Sequence, residues 1–82
     1  MTNWTEKLHF DQTHIWHPYA KIPNHTPPLA VTQTQGSIIT LNTGQTLVDG
    51  MSSWWAALHG YNHPHIQKAM IEQIKTMPHI MF

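Results

Sequence analysis

The chain has no cysteine, and its fixed charges are few: four Lys plus Arg against four Asp plus Glu, for a formal net charge of zero. Without cysteine there is neither a disulfide framework nor a thiolate metal site. With no excess of positive charge there is no basic stripe for nucleic acid or an anionic membrane. The low charge combined with frequent Trp, Ile, Leu and Met also argues against a disordered chain. The N-terminal stretch MTNWTEKLHF lacks an apolar signal core, and no apolar run reaches membrane-spanning length. Cytoplasm is therefore the expected compartment.

Several catalytic patterns are missing too. Gly36, Gly44, Gly50 and Gly60 are too far apart for a phosphate-binding loop. Ser37, Ser52 and Ser53 lie in no G-x-S-x-G elbow. The four carboxylates are scattered, so no acid–base pair is readable. A Schiff-base lysine needs desolvation, but Lys68 and Lys75 fall on the polar side of a predicted helix, and Lys7 and Lys21 in an arm.

At 82 residues the chain makes at most one small domain. A compact fold of this size removes only about 60–65% of its unfolded surface from water, which is marginal. It also finishes on Ile80, Met81 and Phe82 with no polar cap, where chain ends are usually solvated. The expectation is a piece of something longer.

Residues 1–28 hold four of the six prolines and four of the eight histidines. A short helical turn is expected near Thr5, and HIWHPYAKIPNHTPP reads as an extended arm, since each proline biases its predecessor away from helix. Such an arm must lie on another surface, which Trp16 and Tyr19 suit. From Leu29 onward LAVTQT, SIITL and TLVDG are short, rich in β-branched residues and separated by Gly36 and by Asn42-Thr43-Gly44. They predict an antiparallel meander. Pro64 suits a first helical position, with His63 or Asn62 as cap. Ile66, Ala69, Met70, Gln73, Ile74 and Met77 then recur at helical spacing, opposite Lys68, Glu72 and Lys75. They predict an amphipathic helix from Pro64 to about Met77, ended by Pro78.

Eight histidines raise the possibility of a metal, with His63/His65 and His14/His17 as the closest pairs. Zinc needs three or four convergent ligands with supporting partners. No pair here has the i, i+4 spacing within the predicted helix, so caps and packed rings are the preferred reading and no metal is expected. The adjacent Trp54 and Trp55 follow a strand and a Gly-Met-Ser-Ser turn, so their rings leave in different directions. One is expected on the core and the other as the wall of an apolar pocket. Structural packing of both rings is the alternative.

FDQTHIWHPYA followed by LVDGMSSWWAALHGYNHPHIQKAM resembles the N-terminal part of the adenosylmethionine–8-amino-7-oxononanoate aminotransferases, pyridoxal-phosphate enzymes of biotin synthesis. The likeness runs from about Phe10 to Phe82. Gly60-x-x-His63-Pro64, after Asp49-Gly50 and before Ala69, is similar to a signature of class III aminotransferases at large. Trp16-His17-Pro18-Tyr19 with Met51-Ser52-Ser53-Trp54-Trp55 is narrower. One departure is Ala20-Lys21-Ile22, where the family usually has a hydroxyl residue with a methionine nearby.

The resemblance implies an α+β fragment of a fold-type-I transferase: an N-terminal arm over residues 1–28, then the first part of a small domain over 29–82. It implies a homodimer whose large cofactor domain lies outside this chain. It implies ping-pong transfer of an amino group from S-adenosylmethionine to 8-amino-7-oxononanoate, giving 7,8-diaminononanoate. Trp54 and Trp55 match the tryptophans of the substrate pocket, and Tyr19 a tyrosine that orients substrate. The Schiff-base lysine and the other cofactor-holding groups belong to later parts of the family chain, so this piece is expected to be inactive alone. Two other readings stay open on the residues: a free-standing small-ligand or peptide module around Trp16, Tyr19 and Trp54, and a histidine metal-binding protein.

Overall fold

A computed structural model of the chain describes residues 3–23 and 25–81. In order along the chain come α1 (Trp4–His14), β1 (Val31–Gln35), β2 (Ile38–Leu41), β3 (Thr46–Val48) and α2 (Pro64–Thr76). The strands form the predicted meander, an antiparallel sheet of order β1-β2-β3.

The two hairpins are made by glycines placed where the backbone turns left-handed. Gly36 (φ 58°) carries β1 into β2. At the next hairpin Gly44 (φ 87°) donates its N–H to the Leu41 carbonyl, and Leu41 N–H returns to Gln45. Positive φ is free of steric penalty only for glycine. Within the sheet, Thr34 faces Ile39 and Ile39 faces Leu47, so one row of half-buried side chains crosses all three strands. Such cross-strand pairs are what stabilise a small sheet. A bulge at Thr32 shifts the register, and its hydroxyl donates to the Thr40 carbonyl instead.

Helix α2 begins at Pro64 as the sequence predicts, with His63 in the cap position but making no side-chain cap bond. Asn62 is used differently: its amide donates to the Thr34 carbonyl at 2.5 Å, tying the helix entrance to β1. The helix ends at Thr76, with Met77 N–H bonded to the Gln73 carbonyl just before Pro78.

The arm is more ordered than a single turn near Thr5. Asn3 accepts the Glu6 N–H at 3.2 Å, and the helix so capped runs 11 residues to His14. An Asn cap satisfies an N–H that would otherwise lack a partner, and no proline interrupts these residues. Beyond Ile15 the arm is irregular, as its prolines require.

Among the described residues the only buried hydrophobic side chain is Leu41, at 6% exposure. The predicted apolar face of α2 is present, but Ile66, Met70, Ile74 and Met77 are all exposed. The radius of gyration is 16.0 Å, against about 12 Å for a compact domain of this length. Burial of apolar area is the main stabilising term in folding, and little of it is realised here. The isolated chain should therefore unfold over a broad range or self-associate. Calorimetry and sedimentation check this, and a monomer with one sharp transition would contradict it.

Candidate functional site: a clamped loop and an aromatic pair

Between β3 and α2 the chain makes a loop over residues 49–61, and both its ends are fastened to the same hairpin turn. At the entrance Asp49 N–H bonds to the Ser37 carbonyl at 2.8 Å. At the exit Tyr61 and Gly36 exchange both backbone hydrogen bonds, at 2.8 and 3.0 Å. Gly60 makes that closure possible. Its φ is 81°, and a Cβ there would stand 3.3 Å from the Gly36 Cα and carbonyl oxygen, both backbone atoms that cannot swing aside.

Inside the loop the backbone takes an expensive course. Ser52, Ser53, Trp54 and Trp55 all have positive φ, between 47° and 72°. Left-handed backbone costs roughly 1–2 kcal/mol for each non-glycine residue, and it usually occurs singly. Hydrogen bonds hold the turn: Trp55 N–H to Met51 at 3.2 Å, and Ala57 N–H to Ser52 at 3.0 Å. The Asp49 carboxylate holds it from within. One oxygen accepts the Met51 N–H at 3.0 Å; the other accepts the Ser53 N–H at 2.8 Å and the Tyr61 hydroxyl at 2.5 Å. Tyr61 Oη also meets Ser53 Oγ. Since the phenol has a single proton and gives it to Asp49, Ser53 is the donor in that contact.

This turn carries Trp54 to Tyr19. Their ring centroids are 5.4 Å apart, with planes tilted by 54°, a geometry favoured by the aromatic quadrupoles. Tyr19 (φ 58°) follows Pro18 in a turn closed by Ala20 N–H to the His17 carbonyl at 3.2 Å. Proline followed by a positive-φ residue is the pattern of a type II turn. Both flanks are fixed. His17 Nε2 lies 2.9 and 2.8 Å from the two oxygens of Asp11 on α1, and Trp16 Nε1–H donates to the Ala20 carbonyl at 2.9 Å. Ala20 therefore serves through its backbone, which any residue supplies.

Of the three candidate residues, the structure brings Tyr19 and Trp54 together and leaves Trp55 apart, 79% exposed and without a ring contact among the described residues. The expectation that one tryptophan packs on the core is corrected: Trp54 is 64% and Trp55 79% exposed, both on a left-handed stretch of loop. Sequence named Asp49 only within the family signature, with no role, and did not single out Tyr61. Asp opening a turn and reaching the N–H two residues on is a readable signal; the tyrosine partner has none.

Among the described residues no three His, Asp or Glu side chains are grouped to hold a metal. His59 and His63 make an edge contact at 6.2 Å between centroids. No helix is long and apolar enough to cross a membrane. All four lysines are exposed, Lys7 over the Trp4 ring and Lys68 within 4.0 Å of Glu72. The lysines present thus lack the desolvation a Schiff base needs.

Residues 19–82 match the class-III aminotransferases, and the chain belongs to that family. It is 51% identical over 75 residues to the adenosylmethionine-8-amino-7-oxononanoate aminotransferase of Buchnera aphidicola subsp. Baizongia pistaciae, covering 92% of this chain and 18% of that protein. It is 50% identical over 72 residues to the enzyme of the same name from Corynebacterium glutamicum, covering 88% and 16%. A solved taurine:2-oxoglutarate aminotransferase from Bifidobacterium kashiwanohense, in complex with PLP and glutamate, superposes with a TM-score of 0.82 at 18% identity, over 94% of this chain and 17% of that one. That last likeness is one of fold. The chain thus spans less than a fifth of the length of these relatives.

The Asp49 contacts predict a pH window. The Tyr61 hydroxyl, followed by backbone N–H groups, holds the Asp49 carboxyl below its ordinary 3.8, and Asp49 in turn raises the Tyr61 phenol above 10.0. A lowered carboxyl stabilises above its unfolded value and loses this as pH falls through the folded one; a raised phenol stabilises below its unfolded value and loses this as pH rises through the folded one. Loop order should thus be greatest between about pH 4 and pH 10. Trp fluorescence titrated in wild type and Asp49→Asn checks this: the acid limb should vanish in the variant.

Proposed function

We propose that this chain is the N-terminal, substrate-recognising part of a pyridoxal-phosphate-dependent aminotransferase that moves an amino group from S-adenosylmethionine to 8-amino-7-oxononanoate, giving 7,8-diaminononanoate. In this reading residues 1–28 are an arm and 29–82 the start of the small domain. The large cofactor domain lies in the rest of a longer chain, which works as a cytoplasmic homodimer. The observation that carries the reading is the Tyr19 and Trp54 pair, set side by side by two segments far apart in sequence. Relatives with this substrate pair in their names, about half identical over most of the chain, support it.

The transfer chemistry lies with the cofactor, and no chemical step is assigned to residues of this chain. Their share is binding and orientation. The Trp54 face offers an apolar wall to the alkyl chain of 8-amino-7-oxononanoate, and Trp55, which stands apart from the pair, offers a second apolar contact to the same substrate. Tyr19 adds what Trp54 lacks, a hydroxyl at the edge of the pair that can hold a polar group of the amino donor. Exposed rings on a strained turn are costly to maintain as packing alone, and strain of this kind gathers at binding sites.

In the complete enzyme, Trp54→Ala should weaken the ketone half-reaction more than the adenosylmethionine half, by about 2–3 kcal/mol for loss of one apolar wall. Single-turnover kinetics with each substrate checks this, and unchanged ketone kinetics would remove Trp54 from the site. Tyr19→Phe keeps the ring and removes the hydroxyl. It should slow the adenosylmethionine half-reaction about ten- to hundredfold, the worth of a hydrogen bond to a charged group made in the transition state. Stopped-flow absorbance of the cofactor reads this directly, and a wild-type rate would leave Tyr19 as an anchor of the arm.

A further inference from the structure

We infer that Asp49 and Tyr61 form a latch that closes the 49–61 loop and sets where Trp54 stands, making both of them positioning residues for the substrate wall. The inference rests on the reading of Trp54 as that wall.

The two side chains meet across the neck of the loop, where Asp49 leaves β3 and Tyr61 pairs with Gly36. A side-chain hydrogen bond here doubles the backbone closure. What sets it apart from ordinary loop packing is the path by which it reaches Trp54. The carboxylate that takes the Tyr61 proton also accepts the N–H groups of Met51 and Ser53. Ser53 is itself left-handed and directly precedes Trp54, and its hydroxyl completes the chain back to Tyr61. The network thus bears on Met51 and on Ser53, the residue directly before Trp54. Among the described residues no hydrogen bond or ring contact joins Asp49 or Tyr61 to Tyr19, so the route to the substrate wall is through the turn.

The turn has a reason to need such a latch. Four consecutive left-handed residues persist only where their surroundings over-determine them. If the Tyr61 hydroxyl is removed, Asp49 keeps only the Met51 and Ser53 N–H groups and Ser53 Oγ loses its partner, and the strain in the turn favours relaxation to right-handed or extended backbone. The Trp54 ring then moves away from Tyr19.

A double-mutant cycle in the complete enzyme tests this. Tyr61→Phe should lower kcat/KM for 8-amino-7-oxononanoate roughly tenfold, about the worth of one lost hydrogen bond, through a lower kcat as well as a higher KM. In a Trp54→Ala background the same change should have almost no further effect, because the wall it positions is gone. An equal loss in both backgrounds would overturn the latch, since a purely structural tyrosine acts independently of Trp54. So would wild-type kinetics in Tyr61→Phe while Trp54→Ala is impaired. If Trp54→Ala itself behaves as wild type, the substrate-wall reading fails, and hydrogen exchange then decides the latch. Exchange at the Met51 and Ser53 amides about tenfold faster in Tyr61→Phe would support the latch. Unchanged exchange would overturn it.

Discussion

Everything after the sheet depends on the closure of one loop onto one turn. Ser37 receives the loop's first N–H and Gly36 pairs with its last residue, so the ends of the 49–61 segment are held on neighbouring atoms of the β1–β2 hairpin. Closing a loop of this size costs entropy that grows only slowly with length; fixing its interior costs far more. The backbone bonds at the neck meet the first cost. Asp49, reaching inward to Met51 and Ser53, meets part of the second. The Tyr61 pairing also occupies hairpin backbone groups and, with Asn62 bonded to Thr34, sets the point from which α2 departs. The family signature at Gly60 thereby acquires a steric cause: its φ is positive, and a Cβ would stand at a tight 3.3 Å from the Gly36 backbone.

The exposed apolar surface has a different logic. Helix α2 has the periodicity of a helix that covers a core, yet its Ile66, Met70 and Ile74 side chains meet solvent, and a groove of about 430 Å³ runs beside them and Ala56 and Ala57. A second groove follows the arm from Asp11 to Pro28. Neither groove is lined by Tyr19, Trp54 or Trp55. Enclosure is therefore not what distinguishes the aromatic pair. What distinguishes it is the strained backbone beneath it.

Local chemistry was legible in the sequence. Gly36 and Asn42-Thr43-Gly44 gave away both hairpins because positive φ and turn formation are properties of those residues. Pro64 and the spacing from Ile66 to Met77 gave α2 for the same reason. The family likeness pointed to Tyr19, Trp54 and Trp55, and the structure places the first two rings together and leaves the third apart. Less legible was α1, whose apolar residues follow no helical stripe and whose order comes from the Asn3 cap and local bonds such as Thr13 to His9. The pairing of Gly36 with Tyr61 was illegible, because nothing in a local pattern announces a contact between segments so far apart. The same holds for the Asp49 network, where one carboxylate among four scattered ones proves to be the centre.

The placement of an aromatic wall on a clamped turn bears on how such a wall serves a reaction it does not perform. An alkyl chain lying on an indole face gains about 0.8 kcal/mol for each methylene buried, and that attraction is nearly indifferent to small sliding movements. Binding of this kind lowers KM without favouring the transition state unless the wall also fixes where the reacting end of the chain lies. Fixing it demands a wall that does not yield, since a misplacement of about 1 Å costs on the order of a hundredfold in rate. A tryptophan on a flexible loop would bind and fail to place. On a turn held from both ends and from within, with Tyr19 fixed separately through His17 and Asp11, the same ring would, in the proposed reading, define one edge of the substrate's position. The hydrogen bonds around Asp49 thus convert non-directional apolar contact into alignment.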